Sequence, residues 1–221
     1  MRVLVLGGSG RTGKLIVEEA LERGHQVTAL VRKAGSLDAR PGLTLVEGTP
    51  LERRDVDRAI TATKDEPSII ISALGQTRTS GNPWAAVTSP PRFMADSINN
   101  AIAAANVHSI HKIIVMNMFG AGSSWQNLNF LMKGTMKWSN MAQTLEDQNL
   151  VDEIVKNSGL TFVLARPAML KGDLPLPIKQ YGDEGEGCGF MPSISAKSVA
   201  IFLLDAAEQE HWDGKTPVLS N

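Results

Sequence analysis

Apolar residues along this chain recur in two alternating patterns. Val3-Leu4-Val5-Leu6, Ile69-Ile70-Ile71 and Ile113-Ile114-Val115 are unbroken runs, which suit strands buried on both faces. Between such runs lie longer stretches, among them Lys14 to Arg23, whose apolar residues return at helical spacing. The pattern predicts strands at Arg2–Leu6, Gln26–Val31, Leu43–Glu47, Ser68–Ser72, Lys112–Asn117 and Thr161–Ala165, with a short last strand at Thr216–Leu219. Helices are predicted at Thr12–Arg23, Arg53–Thr61, Ser89–Asn106, Met141–Asn157 and Ala196–Gln209. Asn157-Ser158-Gly159 is a helix stop before the next strand. This alternation defines an α/β chain, a doubly wound parallel sheet with helices on both faces. Two connections, Gly120 to Trp138 and Lys171 to Pro192, are too long for the scheme. In an open parallel sheet such loops cap the carboxyl ends of strands, where ligands bind. The expectation is one domain over 1–221, with substrate-capping segments at about 120–140 and 171–192.

The first strand runs straight into Gly7-Gly8-Ser9-Gly10-Arg11-Thr12-Gly13, and a helix follows at once. Strand, glycine turn and helix in this order form a dinucleotide-binding fingerprint. Each glycine has its own task. Gly7 permits a sharp turn, Gly10 removes a Cβ where a pyrophosphate approaches, and Gly13 lets helix and strand lie close. The helix N-terminus offers free N–H groups and a partial positive charge to the phosphates. An NAD site places Asp or Glu on the ribose 2′-hydroxyl near the end of the second strand. Here that strand ends in Arg32-Lys33, and the nearest carboxylate, Asp38, comes well after it. A guanidinium at this place pairs with a 2′-phosphate and stacks on adenine. NADP(H) is therefore the expected cofactor.

Composition narrows the field. A chain of 221 residues with 43% hydrophobic content can bury one sizeable core. Its formal net charge of −1 points to neither nucleic acid nor an anionic membrane as partner. Cys188 is the only cysteine, which excludes an intramolecular disulfide and a cysteine metal cluster. His25, His108, His111 and His211 lack metal-ligand spacing, so no metal is expected. The opening Met1-Arg2-Val3-Leu4 reads as a strand, too short an apolar run for a signal peptide or a membrane span. A cytoplasmic monomer or homodimer is expected.

The first long connection is unusually apolar. Aromatic residues make up 5% of the chain, yet Met116, Met118, Phe119, Trp125, Phe130, Leu131, Met132, Met136, Trp138 and Met141 gather in and around it. Trp84 and Met94 are candidates to join from the other side. Methionine and tryptophan form an adaptable, polarizable wall for a flat apolar or aromatic small molecule. Core packing or a subunit interface would use the same residues.

The glycine turn, Leu30-Val31-Arg32-Lys33 and Ser158-Gly159-Leu160-Thr161 running to Arg166-Pro167 together resemble the atypical short-chain dehydrogenase/reductase family. The similarity is to its NmrA-like group, which includes biliverdin-IXβ (flavin) reductases, and Ile194 to Ala200 extends it to nearly the whole chain. The resemblance implies a single Rossmann-type NADP-binding domain with a small C-terminal substrate cap. It also implies a range of activities, from reductases to NADP-sensing regulators. Ordinary short-chain dehydrogenases use Ser with Tyr-x-x-x-Lys as acid and base. Here Tyr181 is the only tyrosine, stands in a predicted loop and is followed four residues on by Gly185, so that mechanism is absent. Where the resemblance implies Ser-Ser-Phe-Gly after the fifth strand, this chain has Asn117-Met118-Phe119-Gly120. Asn117 can hydrogen-bond a carbonyl or a nicotinamide, whereas Met118 can only pack. Asp147 matches the group's aspartate, and Gln148 stands where a histidine or other polar residue often follows it. Glutamine transfers no proton at neutral pH, which leaves Glu146 and Asp147 as proton-transfer candidates, with Asp147 the better match.

The expected activity is that of an NADP(H)-dependent oxidoreductase delivering hydride to a planar apolar conjugated substrate, flavin-, quinone- or polyketide-like. Such transfer needs orientation above all, with water able to supply the proton. A non-redox isomerase, dehydratase or cyclase on the same fold, and a non-catalytic NADP-sensing regulator, are the alternatives. The expected catalytic residues are Asn117 and Asp147. Expected cofactor contacts are Gly7, Ser9, Gly10, Arg11, Thr12, Gly13, Arg32, Lys33, Ala73, Leu74, Gly75 and Pro167. Trp84, Met118, Phe119, Trp125, Trp138 and Met169 are expected to bind substrate.

Overall fold

Alternate residues of one strand are buried on opposite faces of the central sheet. A computed structural model describes residues 1–221. In β1 (Arg2–Leu6), Val3 and Val5 join one core cluster while Leu4 and Leu6 join the other. This two-sided burial is why the strand reads as an unbroken apolar run. β2 (Gln26–Val31), β3 (Leu43–Glu47), β4 (Ile69–Ser72), β5 (Lys112–Met116) and β6 (Thr161–Pro167) extend the sheet in parallel pairing, in the order β3-β2-β1-β4-β5-β6. β10 (Val218–Ser220) pairs in parallel with β6, and β8 (Lys179–Tyr181) closes that edge antiparallel to β10. One face is covered by α1 (Arg11–Glu22) and α6 (Ala196–Glu208), which pack on each other through residues such as Ile16, Ala20, Val199 and Leu203. The other carries α2 (Arg53–Ile60), α3 (Phe93–Val107) and α5 (Met141–Lys156). No helix is long and apolar enough to cross a membrane.

The sheet and its helices fall close to the predicted positions, with instructive exceptions. The helix predicted from Ser89 begins at Phe93. Pro90-Pro91 hold the preceding residues out of helical geometry, and Arg92 then turns the chain with φ of 57°. The first long connection is not irregular. It contains a 3-10 turn at Gly122–Asn127 and α4 (Phe130–Trp138), which Asn129 caps by accepting the Met132 N–H at 2.9 Å. The second connection is pinned at its neck, where β7 (Met169–Leu170) pairs with β9 (Ser193–Ile194). Tyr181, predicted in a loop, stands in β8, and its hydroxyl lies 3.3 Å from Ser220 Oγ.

One buried cation fastens both long connections to the sheet. The Arg166 side chain at the end of β6 is 0% exposed and pairs with Asp152 of α5. It also donates to Ser123 Oγ at 2.9 Å in the first connection and to the Asp183 carbonyl in the second. Gly122 is required beside it, because a Cβ there would lie 2.5 Å from Arg166 Nη2.

Candidate active site

The strand order reverses between β1 and β4. Loops leaving the two strands therefore run apart, and a crevice opens at their carboxyl ends. The glycine turn forms one wall. Gly7 has φ of +81°, and a Cβ on it would lie 2.9 Å from the Ala73 carbonyl oxygen. A Cβ on Gly13 would lie 2.0 Å from the Gly7 carbonyl oxygen, so this residue sets how closely α1 approaches the turn. Gly10 differs from both: a Cβ there would meet only the Gly7 oxygen, at 3.3 Å. Gly10 also begins α1 and has no side chain to cap it. The first N–H groups of the helix are thus left for a ligand.

Gly7, Ser9, Gly10, Leu30, Arg32, Ala73, Leu74 and Gly75 line this crevice together with Pro50, Thr77, Thr88, Ser89 and Phe93. Seven of the expected cofactor residues, Gly7, Ser9, Gly10, Arg32, Ala73, Leu74 and Gly75, are therefore brought together. A second recess adjoins it, lined only by polar and charged residues, Ser9, Arg32, Lys33 and Ser36. Ser36 Oγ is buried there and has no hydrogen-bond partner. Thr12 is buried in the first turn of α1. Arg11 turns its side chain away, donating to Asp173 at 2.8 Å and to the Gly172 carbonyl at 3.0 Å. It holds the second connection against α1 instead of lining the crevice.

An apolar cavity of about 470 Å³ lies beyond Gly75. Its walls are Met118, Phe119, Leu131, Met132, Met136, Met141, Ala168, Met169, Leu170 and Met191, with Pro83 and Pro167. Its polar lining is confined to Gln76, Thr135, Thr144 and Gln148, and it contains no titratable side chain. Thr144 Oγ1 donates to Gln76 Oε1 at 2.6 Å and accepts from the Arg78 guanidinium. Arg78 has no carboxylate partner, and burial pulls its pKa below the usual arginine value. Gly75 lines both the crevice and the cavity.

The remaining expected residues lie as follows. Pro167 stands in the wall of the apolar cavity and not in the glycine-walled crevice. Met118, Phe119 and Met169 line the cavity, and the three tryptophans do not. Trp84 and Trp138 are 63% and 83% exposed. Trp125 packs beside the Phe119 cluster, under the ammonium groups of Lys133 and Lys137. Neither residue expected to be catalytic reaches the cavity. Asn117 Nδ2 donates to the Gln148 carbonyl at 3.1 Å, and its Oδ1 accepts the Met118 N–H at 2.7 Å. The Asp147 side chain accepts the N–H groups of Met94 and Ala95, each at 2.9 Å, and the residue is 2% exposed. It serves as a cap for α3, whose own N-terminal residue, Arg92, supplies none. Gln76 and Thr144 were not singled out in the sequence. Thr144 and Gln148 carried one signal, two polar residues one turn apart on a helix face that turns inward.

A glycine-walled crevice at the reversal of a parallel sheet, open to an apolar cavity, defines an NAD(P)-binding fold of the oxidoreductase type. The chain belongs to the NAD(P)H-binding family, which matches residues 7–210. An uncharacterized chloroplastic protein of Arabidopsis thaliana is 26% identical over 218 residues, covering 95% of this chain and 72% of that protein. Among solved structures, an anaerobillin reductase from Escherichia coli O157:H7 superposes with a TM-score of 0.77 at 18% identity, covering 100% of this chain and 97% of that one. A short-chain dehydrogenase/reductase from Veillonella parvula in complex with NADP gives 0.78 at 13% identity, covering 100% and 94%. At such identities the two structures show a shared fold and nothing more specific.

Proposed function

We propose that this protein is an NADP(H)-dependent oxidoreductase that reduces a planar, apolar, conjugated small molecule. One observation carries the reading: Gly75 belongs at once to the nucleotide crevice and to the methionine-walled cavity. A ring bound in that cavity meets the crevice at this residue. The phosphorylated cofactor fits the polar recess, where Arg32 and Lys33 supply positive charge and Ser36 Oγ stands unpartnered. Structural neighbours support it in kind, one a reductase and one bound to NADP.

When bound, the cofactor supplies the hydride. Every other task falls to the chain. The N–H groups opening α1 would hold the pyrophosphate, and Arg32 and Lys33 would hold the 2′-phosphate. Met118, Met132, Met136 and Met169 fix the plane of the acceptor and exclude water from its faces. No acid or base lines the cavity, so the proton that completes reduction comes from solvent, which a conjugated acceptor permits. An isomerase or dehydratase would need a proton-transfer group against the substrate. The test is anaerobic consumption of NADPH with a panel of flavins, quinones and aromatic ketones. Consumption with a flavin or quinone supports the reading. Substrate turnover without NADPH oxidation would replace it by a non-redox enzyme, and neither event by an NADP-sensing regulator.

A further inference from the structure

Among the residues lining the apolar cavity, two carry a buried polar atom without a partner: Gln76 Nε2 and Gln148 Oε1. Thr135, the other polar residue besides Thr144, is satisfied by the Leu131 carbonyl. The orientation of both amides follows from their neighbours. A guanidinium only donates, so Thr144 Oγ1 accepts from Arg78, and its own proton goes to Gln76 Oε1 at 2.6 Å. With Gln76 Oε1 taken by the Thr144 hydroxyl, Nε2, a donor, is left over. Gln148 Nε2 lies 3.3 Å from Met94 Sδ, which only accepts, and this leaves Oε1, an acceptor. Thr144 and Gln148 are successive turns on one face of α5, so donor and acceptor stand on neighbouring parts of the same wall. A buried polar group without a partner is destabilising. Two of opposite kind in an otherwise apolar lining call for a ligand edge of complementary kind.

We propose that Gln76 and Gln148 read a substrate edge with a carbonyl beside an N–H. The cavity thereby selects a cyclic amide or imide over a quinone that offers acceptors alone. Gln76 Nε2 donates to the carbonyl and Gln148 Oε1 accepts the N–H. Thr144 is a positioning residue that holds Gln76 in register. The proposal rests on the reading of this cavity as the substrate site, and it assigns the polar recognition that the methionine walls cannot provide.

Equilibrium binding separates this recognition from catalysis. With the protein saturated by NADP+, so that no turnover occurs, lumiflavin and N3-methyllumiflavin are titrated by ligand fluorescence. The native protein should bind lumiflavin at least about tenfold more tightly, as expected for one buried hydrogen bond lost together with an acceptor left unpaired. Gln148→Met should bring the ratio close to one. Thr144→Val should weaken both ligands several-fold, and Thr144→Ser should restore them. NADP+ affinity reports that each variant is folded. A native ratio below about twofold, or a ratio untouched by Gln148→Met, overturns the proposal and leaves a trapped water as the partner of the two amides. NADPH oxidation by menadione on the same protein tests the oxidoreductase reading by itself. Menadione turnover with no imide preference sinks only the recognition, and an imide preference without reduction of any acceptor sinks only the chemistry.

Discussion

Two glycines three residues apart in one turn should fail in opposite ways. At Gly13 a Cβ would sit 2.0 Å from the Gly7 carbonyl oxygen and 2.8 Å from Gly7 C and Gly8 Cα, all of them backbone atoms. To reach a tolerable contact, α1 and the turn must part by about 1 Å, and no side chain can swing away to relieve them. Overpacking of this kind costs about 3 kcal/mol. The better helix propensity of alanine returns about 1 kcal/mol, so Gly13→Ala should lose at least about 2 kcal/mol. For a domain of this size that corresponds to a melting temperature lower by about 4–8 °C. Gly10 is extended, with φ of −76° and ψ of 172°, a conformation that valine adopts without strain. Its Cβ would meet one atom at 3.3 Å and otherwise the open crevice. Gly10→Val should therefore melt within about 1 kcal/mol of the native protein, yet bind NADPH at least tenfold more weakly, about 1.4 kcal/mol. Thermal melting without nucleotide and fluorescence titration with NADPH give both readouts. Native affinity in Gly10→Val would remove the nucleotide from this crevice. A native melting temperature in Gly13→Ala would refute the close approach of helix and turn.

Three further outcomes follow from named contacts. NADPH should bind the native protein at least tenfold more tightly than NADH, about 1.4 kcal/mol, and Arg32→Ala should erase most of that preference. Equal native affinities would make the Arg32, Lys33 and Ser36 recess a solvated surface. Asp147→Ala should destabilise by about 2 kcal/mol, the upper range for a lost helix cap, and leave NADPH affinity unchanged. Lost turnover at an unchanged melting temperature would return Asp147 to the chemistry. Burial works against the Glu19 carboxylate, but hydrogen bonds from Lys197 at 2.7 Å and Arg23 at 2.9 Å outweigh it and hold its pKa below the usual glutamate range. Its folded value is the lower one, so the stabilisation is present above the unfolded pKa of about 4.3 and is lost as pH falls through the folded value. Melting temperature should therefore drop more steeply below about pH 4 in the native protein than in Glu19→Gln, and parallel curves would show that this brace between α1 and α6 contributes nothing.

The strands were legible because burial on both faces writes itself into consecutive residues. Leu4 and Leu6 serve one cluster and Val3 and Val5 the other, so each position of β1 had to be apolar. The glycine-walled crevice was legible for a related reason. Its glycines and Arg32 lie just past the ends of consecutive strands, where spacing along the chain is also spacing in space. The apolar cavity is assembled from segments as far apart as Gln76, Met118, Met132, Met169 and Met191, and no local period links them. Its methionines still stood out by composition. The tryptophans carried no signal of place for the same reason: size and apolar character suggested substrate contact, and Trp84 and Trp138 are largely exposed. α4 was missed because Phe130 is largely exposed, which obscures the helical stripe.

Asn117 and Asp147 show why the chemistry of the site was harder to read than its location. A polar residue placed among apolar ones suggests a reaction, yet its first obligation in a folded chain is to the backbone around it. α3 begins after Pro90-Pro91 at Arg92, a residue in left-handed geometry whose side chain caps nothing. The N–H groups of Met94 and Ala95 are buried and need an acceptor. Asp147 supplies it from across the α3–α5 contact. The sequence therefore held the relevant clue at Arg92, more than fifty residues before the carboxylate that answers it. A helix start with no local cap asks for a distant one. Asn117 does comparable work where β5 meets α5, spending its amide on the Gln148 carbonyl and the Met118 N–H. Once these debts to the backbone are assigned, the unpartnered polar atoms left among the residues lining the cavity belong to Gln76 and Gln148, which is why the proposed recognition is tested there.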